Sequence, residues 1–520
     1  MNRTTRTSRF VQNSVSTAMY QLTAMFMGFV TPRLMMRFYG SQVNGLVVSV
    51  LEFLTYFRLV EAGLASASIF SLYKPLADRD HHSISAIVTA ARRYYHTVGF
   101  IFAGITVVFS AIYPLFVPIE TMSPFSVMLL IMAMGISSSL EFFTLARYRV
   151  LLMADQRTFM VSLASMVTLV ISTVLIIVCS YLRVDVIIMR FFASATIVLR
   201  SAILSAYVKK HYPAVTSFYP KPNKEALSRR WDAMYHQCAE AFQQGAGIML
   251  TTVITRDAAM VSVYGAYHMV TVGLLGILKM TTTGIASGFG NLLMSGEERL
   301  FHAAYRDYEY LYLAITTALF ACAAVLIVPF VVLYTSHIKD ANYFVPLIGM
   351  MIVIEAITHH GTIPMESMIF ASGKFRETRH HCTAQLVSAV LLGLGLGIWG
   401  MQTSAPMAVC GILGGIILSN ILRILLYIGF VPKHIPCLSA RKSVARLVRM
   451  LAEAAVIAVP TLFIFPLDPL RVDSYLKWFA VAVPLLLYAL ALTVAFGWLF
   501  ERESLLSLIG RARYMLRSGK

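Results

Sequence analysis

Charged residues are scarce in this chain: Asp, Glu, Lys and Arg make up 13% of its 520 residues, whereas 58% are hydrophobic. A soluble globular domain has about 25% charged and about 45–50% apolar residues, so the composition excludes one. A disordered chain is excluded too, because such chains lack apolar and aromatic side chains, and aromatic residues here reach 12%. The composition therefore predicts an all-α membrane protein with many spans.

Cysteine is also scarce, with six residues, and no two have the spacing of a metal site or a redox pair. Most fall in or beside apolar runs, so we interpret them as small apolar helix residues. Gly395-x-Gly397-x-x-Gly400 matches a dinucleotide fingerprint, but it lies inside an apolar run with no strand before it. Motifs for nucleotide hydrolysis, nucleophilic catalysis and zinc hydrolysis are missing. The sequence predicts no enzyme, no metal site and no cofactor.

Acidic residues are outnumbered, with 25 Asp and Glu against 43 Lys and Arg, which gives a formal net charge of +18. Nucleic-acid binding would place such an excess on a polar, solvated surface, and the chain has little of it. Most of the basic residues fall instead in alternate loops between apolar runs. The positive-inside rule then places both termini in the cytoplasm of a multi-pass membrane protein.

Fourteen apolar runs are long enough to cross a hydrocarbon core about 30 Å thick. They lie at 10–38, 42–73, 86–117, 122–151, 158–181, 184–208, 232–254, 258–294, 305–334, 343–370, 380–400, 405–430, 445–467 and 473–500. We expect a first six-helix bundle over 1–210, a cytoplasmic linker over 211–231 and a second six-helix bundle over 232–435. Residues 436–520 are predicted to add two peripheral helices and a basic cytoplasmic tail.

An internal repeat supports the two bundles. Arg58 precedes Gly63-Leu64-Ala65-Ser66-Ala67, and Lys279 precedes Gly284-Ile285-Ala286-Ser287-Gly288 at the same distance. Arg200 and Arg423 each precede a Lys-His-x-Pro segment at identical spacing. Because a repeat of six helices is even, both copies would have one orientation, as parallel repeats around a central cavity.

A weaker third match links Glu141 and Glu355, which lead to the loops Ala154–Arg157 and Ala371–Lys374. The small residues that follow Arg58 and Lys279 allow close helix packing or bending.

Ionisable residues within the spans are the candidate functional residues, because a cation at the bilayer centre costs about 2.5–3.5 kcal/mol on insertion scales. The cations predicted to line the cavity and bind an anionic headgroup are Arg58, Lys279, Arg200, Arg423 and Arg190. The acids predicted to balance charge or bind a coupling H⁺ or Na⁺ are Glu61, Glu141, Glu355 and Glu366.

Structural pairing is an alternative for several of these residues. Arg58 has Glu61 three residues later on the same predicted helix, whereas Lys279 has no acid at that spacing. Arg190, Arg200 and Arg423 lie nearer the ends of their predicted helices, where arginines snorkel or pair.

Several segments resemble a known family. They are Arg37-Phe38-Tyr39-Gly40, Asn44-Gly45-Leu46, Glu61-Ala62-Gly63-Leu64, the run Ser71–Asp78, Arg92-Arg93-Tyr94-Tyr95 and the run Tyr148–Gln156. They are similar to the bacterial polysaccharide repeat-unit exporters, the O-antigen, capsule and exopolysaccharide flippases of the multidrug/oligosaccharidyl-lipid/polysaccharide exporter superfamily. The resemblance is densest over residues 33–160.

The resemblance implies two six-helix bundles plus two extra helices, and a flippase of the bacterial cytoplasmic (inner) membrane. Its substrate would be an undecaprenyl-diphosphate-linked oligosaccharide, moved to the outer leaflet by alternating access. Its partners would be membrane lipids and the polysaccharide polymerase and export machinery of lipopolysaccharide or exopolysaccharide synthesis, with no nucleic acid. The alternatives are a peptidoglycan-precursor flippase, a multidrug/cation antiporter of the same superfamily, and an integral-membrane glycosyltransferase or polymerase.

Overall fold

The computed structural model describes residues 3–518 apart from 145, 214–230, 283–288, 290–291, 294–296, 375, 436–438 and 465–472. Over these residues the chain is helical and contains no strand. The predicted all-α polytopic fold is therefore confirmed. The chain forms two compact units, Met1–Gly265 and Ala266–Lys520.

The first unit contains nine helices of the described chain and the start of a tenth. They are α1 Arg3–Tyr39, α2 Ser41–Phe57, α3 Ala62–Asp78, α4 His81–Phe116, α5 Pro124–Thr144, α6 Ala146–Ala154, α7 Thr158–Tyr181, α8 Val186–His211, α9 Trp231–Thr255 and α10 Ala258–Thr282.

The second unit begins within α10 and continues through the remaining helices. They are α11 Glu298–Tyr334, α12 Pro346–His360, α13 Ile363–Ser372, α14 Arg379–Met401, α15 Ala405–His434, α16 Ala440–Ile464, α17 Tyr475–Phe500 and α18 Arg502–Ser518.

Helical segments occupy all fourteen predicted runs, and ten segments within the described residues are long and apolar enough to cross a membrane. The ten comprise α4, α5, α7, α8, α10, α11, the α12–α13 segment, α14, α15 and α17. The predicted run 42–73 does not qualify, because it is divided into two helices of 17 residues each. Large apolar side chains such as Phe100, Leu115 and Leu487 are exposed, as a lipid-facing surface requires.

Local chemistry explains several of the helix boundaries. Gly40 has a φ of 91° between α1 and α2, a conformation that costs glycine little because it has no Cβ. Asp185 and Ser404 accept hydrogen bonds from backbone N–H groups at the starts of α8 and α15. These N-caps satisfy donors that the first helical turn leaves without partners.

The segment Asn44-Gly45-Leu46, one of those that resemble the polysaccharide exporters, lies at a close contact between two helices of the first unit. The Asn44 amide donates to the Ser262 hydroxyl over 2.8 Å, and both side chains are buried. A Cβ added to Gly45 would lie 1.7 Å from the Ala258 carbonyl oxygen, so only glycine fits where α2 meets α10. The Asn44-Gly45 pair therefore fixes helix packing.

The two helices predicted to lie outside the repeat, α16 and α17, pack on α11 in the second unit. Small side chains such as Ala318, Ala321 and Ala489 allow the close approach, and Ile457 and Leu485 fill the remaining space. The domain limits predicted at 210, 231 and 435 stay predictions, and the linker lies mostly outside the described residues.

Candidate functional site

A break in helical geometry places the first candidate residues. Arg58–Glu61 form a 3₁₀ turn between α2 and α3, within the run predicted as one continuous span. Such a turn within a helix often marks a hinge or a strained sequence. The turn presents Arg58 and Glu61 to α5 and α6.

Glu141, in the last turn of α5, is the centre of a group of arginines. Its carboxylate lies 3.0 Å from Arg58 Nη2, 2.8 Å from Arg149 Nη1 and 3.9 Å from Arg200 Nη1. The Glu141 side chain is only 7% exposed, so these cations replace the water that an ionised carboxylate would otherwise require.

Arg149 was not among the predicted site residues, because its place in the sequence suggested a loop. The structure puts it on the short helix α6, where its second Nη forms a salt bridge with Glu61. Glu61 therefore pairs with a residue 88 positions away. The alternative of an Arg58–Glu61 salt bridge is wrong: among the described residues, Arg58 forms its salt bridge with Glu141 instead.

We call Arg58, Glu61, Glu141, Arg149 and Arg200 the arginine cluster. Three guanidinium groups surround two carboxylates, so the cluster carries a net charge of +1 when both acids are ionised. Arg149 and Arg200 have side chains 20% exposed, whereas Arg58 is 36% exposed. The excess positive charge is therefore most accessible at Arg58.

The second unit has a buried ion pair at the matching place. Arg423 Nη2 lies 2.5 Å from Glu366 Oε2, and the Arg423 guanidinium stacks 5.1 Å above the Tyr427 ring. The Arg423 side chain is 3% exposed. This arginine is almost fully enclosed beside its acid, and we interpret the pair as structural.

The two units share a turn that confirms the sequence match of their loops. Gln156 and Gly373 have φ values of 57° and 69°, and each lies two residues after the matched Ala154 or Ala371. Each following residue, Arg157 or Lys374, closes the turn through a backbone hydrogen bond to the residue five positions earlier.

This turn also corrects one predicted match. Arg149 and Glu366 lie at the same number of residues before Gln156 and Gly373, respectively. The two copies of the repeat therefore carry opposite charges at this position. Counted the same way, the residue equivalent to Glu141 is Thr358, not the predicted Glu355.

The ends of α8 and α15 also repeat one arrangement. His211 stacks on Tyr207 and His434 stacks on Phe430, with ring centroids 4.0 Å apart in both cases. The basic residues of the matched turns reach these ends: Arg157 donates to the Tyr207 hydroxyl, and Lys374 donates to the His434 carbonyl. The Arg-to-Lys-His spacing found in the sequence thus corresponds to the same arrangement at the C-terminal ends of α8 and α15.

The remaining predicted residues are separate from the arginine cluster. Arg190 is 9% exposed on α8, with neither an ion pair nor a hydrogen bond to any residue that the structure describes. Lys279 is exposed near the end of α10, and the small residues after it lie outside the described range. Glu355 is half-buried on α12, where its carbonyl accepts a hydrogen bond from Asn420.

No protein-family model matches the chain, and no curated protein matches it in sequence. Solved structures do match. A multidrug resistance MATE family transporter of the MOP superfamily, inward-facing, has a TM-score of 0.65 at 12% identity, over 83% of this chain and 99% of that one. The lipid II flippase MurJ in an inward closed conformation has a TM-score of 0.63 at 12% identity, over 95% and 99% of the two chains.

A MOP superfamily transporter from Pyrococcus furiosus has a TM-score of 0.57 at 12% identity, over 85% of this chain and 96% of that one. At such identities the likeness establishes the fold alone. The protein is a multi-pass membrane protein with the fold of MOP superfamily transporters.

Proposed function

We propose that the protein is a flippase that moves an undecaprenyl-diphosphate-linked polysaccharide repeat unit from the cytoplasmic to the outer leaflet by alternating access. The observation that carries the proposal is the net positive charge of the arginine cluster, together with the exposure of Arg58. A diphosphate is a compact anion, and guanidinium groups bind phosphate oxygens with two parallel hydrogen bonds. Glu141 holds the Arg58 side chain in place, and the other N–H groups of this guanidinium can donate to such a ligand.

The alternatives differ in the charge that they require. A multidrug/cation antiporter needs acidic and aromatic groups facing its substrate, and the arginine cluster has the opposite excess. A peptidoglycan-precursor flippase would also bind a lipid diphosphate, so the cluster suits it equally. The segments between Arg37 and Asp78 resemble the polysaccharide exporters, and we prefer that substrate for this reason.

The orientation is part of the proposal. The basic loops favour cytoplasmic termini in a bacterial inner membrane, and the shared turns at Gln156 and Gly373 then lie on the cytoplasmic side. Lys374 and Arg157, which close these turns, contribute to the same basic excess.

We expect Arg58→Ala to reduce surface polysaccharide while leaving the protein folded. Glu141 retains Arg149 and Arg200 as ion partners, so removing Arg58 leaves no bare carboxylate. Losing one charge-assisted hydrogen bond costs about 1.5–3 kcal/mol, which corresponds to about a tenfold to hundredfold loss of substrate affinity. Surface polysaccharide and lipid-linked repeat units would be measured in cells that lack the native protein, and Lys279→Ala would be tested alone and together with Arg58→Ala.

Lys477→Ala is the matched control, because this exposed lysine pairs with Asp473 outside the repeat. Normal surface polysaccharide in the Arg58→Ala, Lys279→Ala double variant, at an unchanged protein level, would contradict the proposal. Accumulation of peptidoglycan precursor, or a change in drug susceptibility alone, would instead support one of the alternatives.

A further inference from the structure

A small cavity in the second unit lies apart from the arginine cluster. Its volume is about 40 Å³, and a buried water needs about 10–15 Å³ measured in this way, so a few water molecules fit. Helices α11, α16 and α17 line it. The polar side chains that line it are Tyr310, Thr317, Arg446, Arg449, Glu453 and Glu501.

Two arginines that line this cavity are balanced by Glu501, which also lines it, and by Glu309, which does not. Arg446 binds Glu501 through two parallel hydrogen bonds of 3.0 and 2.8 Å and also forms a salt bridge with Glu309. Arg449 Nη1 lies 2.9 Å from Glu501 Oε1. Although burial acts in the opposite direction, hydrogen bonds from Arg446 and the charge of Arg449 lower the pKa of Glu501, so its carboxylate stays ionised.

Glu453 is the second acid that lines the cavity, and it forms no salt bridge with any residue that the structure describes. The residue is 7% exposed, and the Thr493 hydroxyl donates to one of its carboxylate oxygens over 2.6 Å. The other oxygen has no hydrogen-bond partner within the described part of the chain. Arg449 lies one turn earlier on α16, at the spacing that favours a salt bridge, but Glu501 binds its guanidinium.

The charges around Glu453 identify what would neutralise it. With Glu453 ionised, Arg446 and Arg449 would face three acids, namely Glu309, Glu453 and Glu501. Glu453 is buried, and an uncompensated buried carboxylate is costly. A metal cation would meet the guanidinium groups of Arg446 and Arg449 in the same cavity and would be repelled. A proton needs no ligand shell and turns the carboxylate into a neutral carboxyl group.

We propose that Glu453 is a reversible proton-binding site, supplied by the water of this cavity. Protonation forms an O–H bond on the oxygen that Thr493 does not contact. A hydronium ion in the cavity water gives up the proton and is left as neutral water, and deprotonation returns the proton to this water. When Glu453 loses the proton, its carboxylate competes with Glu501 for Arg449. Glu501 lies between α17 and α18, and its salt bridges connect these helices to α16. The ionisation of Glu453 therefore weakens this connection.

The groups facing Glu453 come from every helix around it. Tyr310 on α11, Arg446 and Arg449 on α16, and Thr493 and Glu501 at α17 line the cavity or contact the acid. Tyr310 also touches α17: a Cβ at Gly497 would lie 1.9 Å from its hydroxyl oxygen. Among these groups, Glu453 is the acid whose charge no arginine balances.

The test is infrared difference spectroscopy of the purified full chain in lipid nanodiscs, between about pH 5 and about pH 9. We expect a carbonyl band of a protonated, buried carboxyl group at low pH that is lost at high pH. Glu453→Gln removes this band, and Thr493→Val shifts its frequency because the hydroxyl donor is gone. Glu503→Gln is the matched control and keeps the band, because Glu503 is 84% exposed and pairs with Arg306.

A band that persists unchanged in Glu453→Gln would overturn the proposal. So would a Thr493→Val spectrum identical to that of the wild type, and this variant keeps the test valid even where Glu453→Gln does not fold. These measurements need no substrate, so a failure of the proposed flippase activity would leave them unaffected. A proton-coupled transport step would in addition lose its dependence on pH in Glu453→Gln.

Discussion

Replacing Arg149 by methionine is expected to cause the largest loss of folded protein among substitutions in the first unit. Glu141 would keep two arginine partners, but Glu61 would lose the only salt bridge that it forms with a described residue. Breaking a buried ion pair by removing one partner costs about 3–5 kcal/mol, because an uncompensated charge is left behind. The yield of folded protein and its thermal unfolding in detergent would measure the effect.

The double variant Arg149→Met, Glu61→Gln separates stability from function. Removing both partners leaves no unpaired carboxylate, and Arg58, Arg200 and Glu141 keep the net charge of +1, so we expect both the fold and transport to recover. Arg147→Met is the control, because Arg147 lies on the same helix and contacts the Tyr148 hydroxyl, with no carboxylate partner in the described residues. Equal yields for Arg149→Met and Arg147→Met would show that the arginine cluster does not stabilise the fold.

Gly415→Ala is expected to have a comparable effect in the second unit. A Cβ at this position would lie 2.4 Å from the Gly393 backbone nitrogen and 2.5 Å from the Leu392 carbonyl carbon. Backbone atoms cannot move aside as a side chain does, so α14 and α15 would have to separate. Overpacking of this kind typically costs about 1–3 kcal/mol, and thermal unfolding should detect it as a lower transition temperature.

The neighbouring glycine provides the matched control. A Cβ at Gly414 would meet nothing closer than Met351 Cε at 3.7 Å, which is ordinary van der Waals contact. Gly414→Ala should therefore leave the transition temperature unchanged or raise it slightly, because alanine favours helices more than glycine does. Destabilisation of equal size in both variants would mean that helix propensity, and not the close contact of α14 with α15, is decisive.

The glycine contacts also explain the Gly395-x-Gly397-x-x-Gly400 motif, which matches a dinucleotide fingerprint in sequence. Gly397 and Gly400 are buried within α14, where α15 approaches its backbone closely, and Gly395 faces open space. Sequence context was enough to argue against a dinucleotide site. Only the structure shows that the same glycines allow two helices to touch.

The candidate site was predictable in part. Ionisable residues in apolar runs are energetically costly in a membrane, so they are expected to have a role. This argument selected Arg58, Glu61, Glu141 and Arg200. Arg149 was missed although apolar residues follow it at Val150-Leu151-Leu152. Its neighbours Arg147 and Tyr148 suggested a basic loop. No residue near Arg149 in the sequence indicates that it pairs with Glu61.

The sequence by itself determined the membrane class, the succession of helices and the repeated Arg-to-Lys-His segments. These properties depend on sums over about 20 neighbouring residues, or on fixed spacings, and both can be read along the chain. The tertiary structure decided which acid each arginine neutralises. It brings Glu61 to Arg149 and leaves Arg58 accessible in the first unit, whereas in the second it encloses Arg423 with Glu366. Ion pairing depends on where distant helices converge, and no local pattern encodes that.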